Sequence, residues 1–277
     1  MEKLENIISL IERVEKKKII KEGIDIDYNS FTVAYNPSHQ NHVDTSLENN
    51  PTLNTEYGYG INVYSIFKRK GDIPGDGNPL LYALKGEKLW KFKSEKDKED
   101  IIKQIKLIAQ KFNNMFHAGF TILIPTGNYL NKFIGNIIKE TGNNVLLVDD
   151  VLLKLSTEEV IESVLTKNSP FIQYYGENTE KALQKLQKYI NKMNAERNGL
   201  YTKHFVEDPT MRNLISKSLK IASEYETKYS PYIENEDILL IDDSISRGDT
   251  IKEACQILQD TYSPKSITVL TLFSKLY

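Results

Sequence analysis

A stretch near the end of the chain combines residue types that suit a phosphorylated sugar. Residues 238–250 read Ile-Leu-Leu-Ile-Asp-Asp-Ser-Ile-Ser-Arg-Gly-Asp-Thr. The carboxylates of Asp242 and Asp243 are acceptors for vicinal hydroxyls and for the water shell of a divalent metal. In the loop 246–250, Gly248 lets backbone N–H groups approach an anion, and hydroxyl residues at both ends add donors. These groups predict a site that binds a diol at one end and a phosphate at the other.

The residues on either side of this loop are typical of a strand and a helix. The apolar run before Asp242 has the length and branching of a strand that is buried on both faces. Behind the loop, apolar residues recur three and four positions apart, at Ile251, Ala254, Cys255 and Leu258. The loop is therefore expected at a strand's carboxyl end and a helix's amino end, where unpaired N–H groups and the helix dipole favour anions.

The stretch resembles the phosphoribosyl-pyrophosphate (PRPP) motif of type I phosphoribosyltransferases, in which an apolar strand runs into Asp-Asp and then a Gly-x-Thr loop. By that resemblance, Asp242 and Asp243 hold the ribose 2′- and 3′-hydroxyls, act as the catalytic pair and touch the water shell of Mg²⁺. The loop from Ser246 through Gly248 to Thr250 wraps the 5′-phosphate. The resemblance implies an α/β fold with a doubly wound, mostly parallel sheet.

Two loop residues depart from the family pattern. Arg247 stands where a small hydroxyl residue is common, and its guanidinium would add charge-assisted bonds to the phosphate. Asp249 places an anion in a loop that should bind one. Its alternative role is that of a first-turn helix carboxylate which faces solvent and interacts favourably with the helix dipole.

Residues 145–150, Val-Leu-Leu-Val-Asp-Asp, almost repeat the first half of the motif. No glycine follows them, and apolar residues stand where a phosphate loop needs small polar ones. Asp149 and Asp150 are therefore interpreted as the end of an ordinary parallel strand. Lys154, just beyond, is either a solvated lysine or a ligand that reaches toward pyrophosphate from the same sheet edge.

A third stretch, Thr-Ile-Leu-Ile-Pro-Thr-Gly-Asn at 121–128, again predicts strand, loop and helix. An apolar stripe at residues 130–138 makes the following segment an amphipathic helix. In the resembled family the corresponding loop binds the pyrophosphate leaving group, which would assign that role to Pro125, Thr126, Gly127 and Asn128. A plain turn explains the same residues.

Composition agrees with a globular enzyme of the cytoplasm. The 277 residues are 40% hydrophobic, enough for a substantial core. The single cysteine cannot form an intramolecular disulfide, no apolar run approaches the ~20 residues of a membrane span, and no signal-type region opens the chain. The formal net charge of -2 gives no general reason to expect nucleic-acid binding.

We expect two parts: an N-terminal accessory region at 1–93 and a phosphoribosyltransferase-like core at 94–277. An amphipathic helix is predicted at 2–22, and another at 94–116, where Ser94 and Asp97 resemble a capping box. Between 156 and 232 the patterns are mostly helical, most clearly at 179–193 and 211–225. An insertion of this length exceeds a simple crossover and predicts a helical hood over the site.

The chain is also similar to the competence-protein-F-like branch of the family, because an Asn-Gly-Leu-Tyr turn at 198–201 precedes the motif and a Tyr-Ala-Leu-Lys-Gly-Glu segment at 82–87 precedes the core. It departs from that branch by lacking the zinc-binding N-terminal cysteines. The resemblance implies Mg²⁺-dependent transfer of ribose 5-phosphate from PRPP to a small nitrogenous acceptor. The alternatives are a non-catalytic PRPP or nucleotide sensor and a competence-type DNA-processing accessory protein. A homodimer is left open, and no membrane partner is expected.

Overall fold

The computed structural model describes residues 21–54, 61–70, 78–126, 129–142, 145–197, 199–215, 217–245 and 248–273. The helix predicted at 2–22 lies almost entirely outside them. The chain divides into two compact units. The first comprises residues 1–52, 67–108 and 276–277, and the second comprises residues 53–66 and 109–275.

The described strands are β1 (Gly23–Asp27), β2 (Thr32–Asn36), β3 (Val43–Asp44), β4 (Thr52–Asn54), β5 (Asn62–Arg69), β6 (Lys91–Phe92), β7 (Phe120–Leu123), β8 (Leu146–Val148), β9 (Leu152–Lys154), β10 (Leu219–Ile221), β11 (Asp237–Ser244) and β12 (Ser266–Phe273).

The described helices are α1 (Asn78–Lys85), α2 (Glu95–Met115), α3 (Leu130–Thr141), α4 (Thr157–Leu165), α5 (Pro170–Tyr175), α6 (Thr179–Arg197), α7 (Pro209–Leu214), α8 (Ser223–Lys228), α9 (Ser230–Ile233) and α10 (Asp249–Tyr262), with single-turn 3₁₀ helices at Gly176–Asn178 and Lys203–Phe205. Within the described residues, no helix combines the length and the apolar character that a bilayer crossing requires.

The first unit contains a small sheet and the start of a long helix. Strands β1 and β2 form an antiparallel pair, and β6 lies parallel to β2. The helix predicted at 94–116 is confirmed as α2. At its start the Ser94 hydroxyl accepts the Asp97 N–H at 3.2 Å, and the Asp97 carboxylate accepts the Tyr35 N–H at 3.0 Å. This carboxylate therefore links the helix start to β2.

The second unit is an α/β structure whose main sheet is mostly parallel. β11 pairs in parallel with β12 on one side and with β7 on the other, and β7 pairs in parallel with β8. Residues 238–241 of β11 are almost completely buried. The strand predicted from the apolar run before Asp242 is therefore confirmed, and it lies inside the sheet.

Helices cover both faces of this sheet. From α10, the predicted stripe of Ile251, Ala254, Cys255 and Leu258 is buried in the same core cluster as Ile238 and Leu240 of β11. Because strand side chains alternate between faces, Leu239 points the other way. It lines a small cavity of about 20 Å³ together with Ile138 of α3 and Asn113 of α2. The sheet thus has a helix layer on each side.

The segment between β8 and β11 is partly helical, and its longest helix, predicted at 179–193, is confirmed as α6. The prediction of a helix at 211–225 is wrong. α7 ends at Leu214, β10 comes next at Leu219–Ile221, and α8 begins only at Ser223. β10 pairs antiparallel with β9, so residues 219–221 take the extended conformation within a predicted helix because they gain a strand partner far away in the sequence.

Candidate functional site

The carboxyl ends of β7 and β11 adjoin each other. In the parallel register Leu123 lies opposite Ile241, and the Ile124 N–H donates to the Ile241 carbonyl at 2.9 Å. Residues that come after these two strands therefore emerge at the same edge of the sheet. This is where open α/β sheets bind ligands, because helix amino ends also meet there.

The two predicted catalytic carboxylates lie at the end of β11, and each is only 8% exposed. Asp242 Oδ1 accepts the Asp243 N–H at 2.9 Å, and Asp243 Oδ1 accepts the Ser244 hydroxyl at 2.9 Å. These bonds fix the carboxylates locally.

Asn131 was not predicted from the sequence, yet its side chain is central to this edge. It lies in the first turn of α3 and is 2% exposed. Its Nδ2 donates to the Ile124 carbonyl at 2.8 Å and to the Ile241 carbonyl at 3.3 Å, and it approaches Asp242 Oδ1 at 3.5 Å. One amide thus joins the ends of both strands beside the first carboxylate.

Asn131 also carries a buried acceptor. Its Oδ1 has no hydrogen-bond partner among the described residues. An unsatisfied buried acceptor costs roughly 1–3 kcal/mol, and such groups in native structures call for an explanation. No feature of the sequence distinguished this asparagine from Asn136 in the same helix, because the signal is a tertiary contact.

Gly248 has the conformation that the phosphate-loop interpretation requires. It is the N-cap of α10, with φ 79° and ψ 6° in the left-handed region. Glycine reaches this region without the steric cost that a Cβ imposes. Its carbonyl accepts the Lys252 N–H at 2.9 Å and closes the first helical turn. The first N–H groups of any α-helix lack acceptors within the helix, and helix amino ends are therefore common anion-binding sites.

The other predicted phosphate-loop residues are described only in part. Ser246 and Arg247 lie outside the described residues. Asp249 is the first residue of α10 and its side chain is exposed, whereas Thr250 is half-buried. An exposed first-turn carboxylate interacts favourably with the positive end of the helix dipole.

The predicted pyrophosphate loop is also described in part. Pro125 and Thr126 are half-buried and come shortly after β7, at the edge that β11 shares. Gly127 and Asn128 lie outside the described residues. The apolar stripe behind the loop is confirmed, since α3 buries Leu130, Ile134, Ile137 and Ile138.

The second Asp-Asp pair has different surroundings. It comes directly after β8, the parallel neighbour of β7, as the sequence predicted. Asp149 forms an ion pair with Lys132 at 2.7 Å, and the hydrogen bond from Lys132 lowers the pKa of this carboxyl. Asp150 is exposed and has φ 70°. The chain then enters β9, where Lys154 lies opposite Leu219 of the two-stranded sheet.

Asp242 and Asp243 alone offer few side-chain ligands for a metal ion. Among the described residues, no group of three or more His, Cys, Asp or Glu side chains could hold a metal ion. Mg²⁺ in phosphate chemistry is commonly held by one or two carboxylates, with substrate phosphates and water completing its octahedron. Asp242 and Asp243 fit a Mg²⁺ ion that arrives with its substrate.

Comparison with known proteins adds no assignment, because no family model matches the chain and no curated protein is similar to it at a significant level.

Proposed function

We propose that the protein is a phosphoribosyltransferase of the type I kind, which transfers ribose 5-phosphate from PRPP to a nitrogenous acceptor and releases pyrophosphate. The observation that carries the proposal is the joined edge of β7 and β11. At this edge the carboxyl ends of both strands lie next to each other. The pair Asp242 and Asp243, the helix start at Gly248 and the loop after β7 therefore all follow strand ends at the same edge of the sheet. PRPP has a diol, a phosphate and a pyrophosphate to match these three elements.

In the proposed reaction a nitrogen lone pair of the acceptor forms a bond to ribose C1 as the bond from C1 to the pyrophosphate oxygen breaks. Positive charge develops on the ribose ring, and negative charge passes to pyrophosphate, which leaves. Asp242 and Asp243 would orient the ring through its 2′- and 3′-hydroxyls, and their charge would favour the cationic transition state. The first-turn N–H groups of α10 would bind the 5′-phosphate.

The loop after β7, with Pro125 and Thr126, would receive the pyrophosphate. Asp242 and Asp243 would hold a Mg²⁺ ion that arrives with PRPP, and the chemistry it would supply is neutralisation of the negative charge on the pyrophosphate. The insertion between β8 and β11, expected to act as a hood, would exclude water from the reactive ribose.

Asn131 would act as a positioning residue in this mechanism. Its amide holds the ends of β7 and β11 together and lies beside Asp242 Oδ1. A small displacement of one strand end would change the distance between the ribose site and the pyrophosphate site. Such misplacement can cost about 10²-fold in rate even when no reacting group is removed.

The test is pyrophosphate release from PRPP and Mg²⁺ in the presence of a panel of purine, pyrimidine and amine acceptors. Release that depends on an acceptor and is lost in Asp242→Asn with Asp243→Asn would support the proposal. Calorimetric PRPP binding without turnover across the panel would favour the sensor alternative. DNA binding that weakens with salt, without PRPP binding, would favour the DNA-processing alternative.

Asn131→Ala and its matched control Asn136→Ala separate positioning from general stability. Both residues lie in α3, but Asn136 is exposed. We expect Asn131→Ala to lower kcat by about 10²-fold with a smaller change in KM, whereas Asn136→Ala stays within twofold. Equal kinetics in the two variants, at equal thermal stability, would remove Asn131 from the mechanism.

A further inference from the structure

The second unit contains a cleft along α10, which residues of the insertion and the start of β12 also line. Its volume is about 1370 Å³, which exceeds the ~300–1,000 Å³ of most small-molecule sites. It extends from Asp249 in the first turn of α10 to Asp260 in the last. The eleven steps of helical rise between these two residues span roughly 16 Å, so the cleft suits an elongated ligand.

The cleft has an apolar floor and charged walls. Leu155, Ile215, Leu219, Ile257 and Ile267 contribute apolar surface. The basic residues that line it are Lys203, Arg212, Lys217, Lys220, Lys252 and Lys265, against the acidic residues Asp249, Glu253 and Asp260. Four of these six cations come from residues 203–220 of the insertion, whereas all three acids lie on α10.

The most buried acid of the cleft is already satisfied by the protein. The Glu253 carboxylate accepts the Leu219 N–H at 2.8 Å, the N–H and hydroxyl of Ser218, and Lys203 Nζ at 3.2 Å. Its side chain is 10% exposed. A carboxylate with this many donors is neutralised locally and repels an incoming anion weakly.

Two cations of the insertion, Arg212 and Lys217, have no such compensation. Arg212 Nε donates to the Val206 carbonyl at 2.8 Å, and Nη2 donates to the Glu207 carbonyl at 3.4 Å. These bonds orient the guanidinium without neutralising it and leave several of its five N–H donors for a ligand. Lys217 is exposed. Within the described part of the chain, neither side chain forms an ion pair with a carboxylate.

Tyr201 is buried near Glu253 and Arg212, and it stays neutral. It is 1% exposed, and its hydroxyl has no hydrogen-bond partner among the described residues. Burial, and then the charge of Glu253, hold the pKa of Tyr201 above its usual range. It therefore adds no negative charge to offset Arg212.

We infer that this cleft binds a nucleoside di- or triphosphate, with the phosphates on Arg212 and Lys217 and the base on the apolar floor. A planar guanidinium binds phosphate bidentately, and an oriented one does so at a lower entropic cost. The amide side chains of Asn213 and Gln259 line the same cleft and can bond the edge of a base. The length along α10 accommodates base, ribose and phosphates laid end to end.

This site is separate from the one proposed for PRPP and does not depend on it. Its lining residues come mainly from the insertion and α10, and none of them is Asp242 or Asp243, which lie at the end of β11. The two sites share α10, because the cleft begins at Asp249 and Gly248 caps the same helix. A nucleotide in the cleft would therefore contact the helix whose amino end is proposed to bind the 5′-phosphate.

The test is a titration of the full chain with N-methylanthraniloyl-ADP, monitored by fluorescence anisotropy, with unlabelled ADP and ATP as competitors. We expect Arg212→Gln with Lys217→Gln to weaken binding at least tenfold. The matched control is Lys181→Gln with Lys188→Gln, which removes the same charge from exposed positions of α6 outside the cleft. The control and the Asp242→Asn with Asp243→Asn variant should stay within twofold of the parent.

Because Arg212 also bonds two backbone carbonyls, its loss could affect folding, and Lys217→Glu alone supplies a second test. Because Lys217 is exposed, this substitution should leave the fold intact, and reversing the charge should weaken ADP binding at least fivefold. No binding by the parent chain, or unchanged binding in both cleft variants, would overturn the inference. Loss of binding in the Asp242→Asn with Asp243→Asn variant would place the nucleotide in the ribose site instead.

Two competitors distinguish the nucleotide from polymeric anions. Polyglutamate represents an acidic peptide, and a single-stranded oligonucleotide represents a nucleic acid. The polymer concentrations are counted in glutamate residues or in nucleotides. If either polymer displaces the labelled ADP at a lower concentration than ATP does, the cleft binds that polymer and the nucleotide assignment is wrong.

Discussion

The chain contains nearly the same six residues twice, Val-Leu-Leu-Val-Asp-Asp at 145–150 and Ile-Leu-Leu-Ile-Asp-Asp at 238–243, and the two copies differ in structure. The second copy lies within the eight-residue strand β11, which has a neighbour on each side. The first forms the three-residue strand β8, in which Leu146 is 46% exposed. Nearly equal local sequence thus gives unequal burial, because the position in the sheet differs.

The carboxylates at the two strand ends differ accordingly. Asp149 is paired with a surface lysine, whereas Asp242 is buried beside Asn131. Each strand end has a residue with positive φ nearby: Asp150 at 70° and Gly248 at 79°. Only Gly248 leads into a long helix, while Asp150 leads into β9. A candidate site therefore depends on the segment after the strand as much as on the strand itself.

The largest expected effect is the difference in PRPP affinity between removing the charges of Asp242 and Asp243 and removing those of Asp149 and Asp150. Asp242→Asn with Asp243→Asn should weaken PRPP binding at least a hundredfold, about 2.7 kcal/mol, because both proposed ribose acceptors lose their charge. Asp149→Asn with Asp150→Asn should leave affinity within twofold. Isothermal titration calorimetry with PRPP and Mg²⁺ measures both, and thermal unfolding checks that each variant is folded. Equal losses in the two variants would end the distinction between the strand ends.

A second expected effect concerns the two positive-φ residues. Gly248→Ala should destabilise the protein by about 1–2 kcal/mol, because a Cβ in the left-handed region meets the next carbonyl oxygen along the chain. Asp150→Gly should change stability by less than about 1 kcal/mol, since Asp tolerates this region and glycine costs chain entropy. Urea denaturation measures both. Gly119→Ala is the control, because a Cβ there meets no atom within 4 Å; a loss at Gly119 as large as at Gly248 would contradict the explanation.

Asp249 offers a smaller test of the candidate phosphate loop. Because its side chain is exposed at the start of α10, Asp249→Gly should change PRPP affinity less than tenfold, under ~1.4 kcal/mol. Calorimetry at two salt concentrations would measure this change in PRPP affinity. A much larger gain in affinity would show that the native carboxylate repels the phosphate at close range, and would favour another ligand for this edge.

The smallest effect is expected at the surface pair of Lys132 and Asp149. Both side chains are well exposed, 63% and 47%, so Lys132→Gln should barely move the urea midpoint. It should raise the pKa of Asp149, which Lys132 now lowers. The stability that comes from the lowered pKa is present above the unfolded-state pKa and is lost as pH falls through the folded-state value. NMR titration of the Asp149 carboxyl checks this; an unchanged pKa would mean that the ion pair does not persist in solution.

Several elements could be predicted from the sequence because their signals are local. The apolar run at 238–241, the stripe from Ile251 to Leu258 and the helices at 94–116 and 179–193 depend on periodicity and caps that neighbouring residues supply. The glycine at 248 was expected to adopt a conformation closed to other residues, and its φ of 79° agrees. In each case the nearby chain determines the backbone.

The tertiary structure decided the rest. Residues 219–221 became a strand because β9 pairs with them, and nothing within 211–225 encodes that partner. Asn131 bonds carbonyls that are 7 and 110 residues away, and Glu253 binds the backbone at Ser218 across 35 residues. Side-chain amides and carboxylates can bond any backbone group that the fold brings within reach, so residue type alone cannot reveal the contact. The sequence determined which residues can do chemistry, and strand order and packing determined which of them meet.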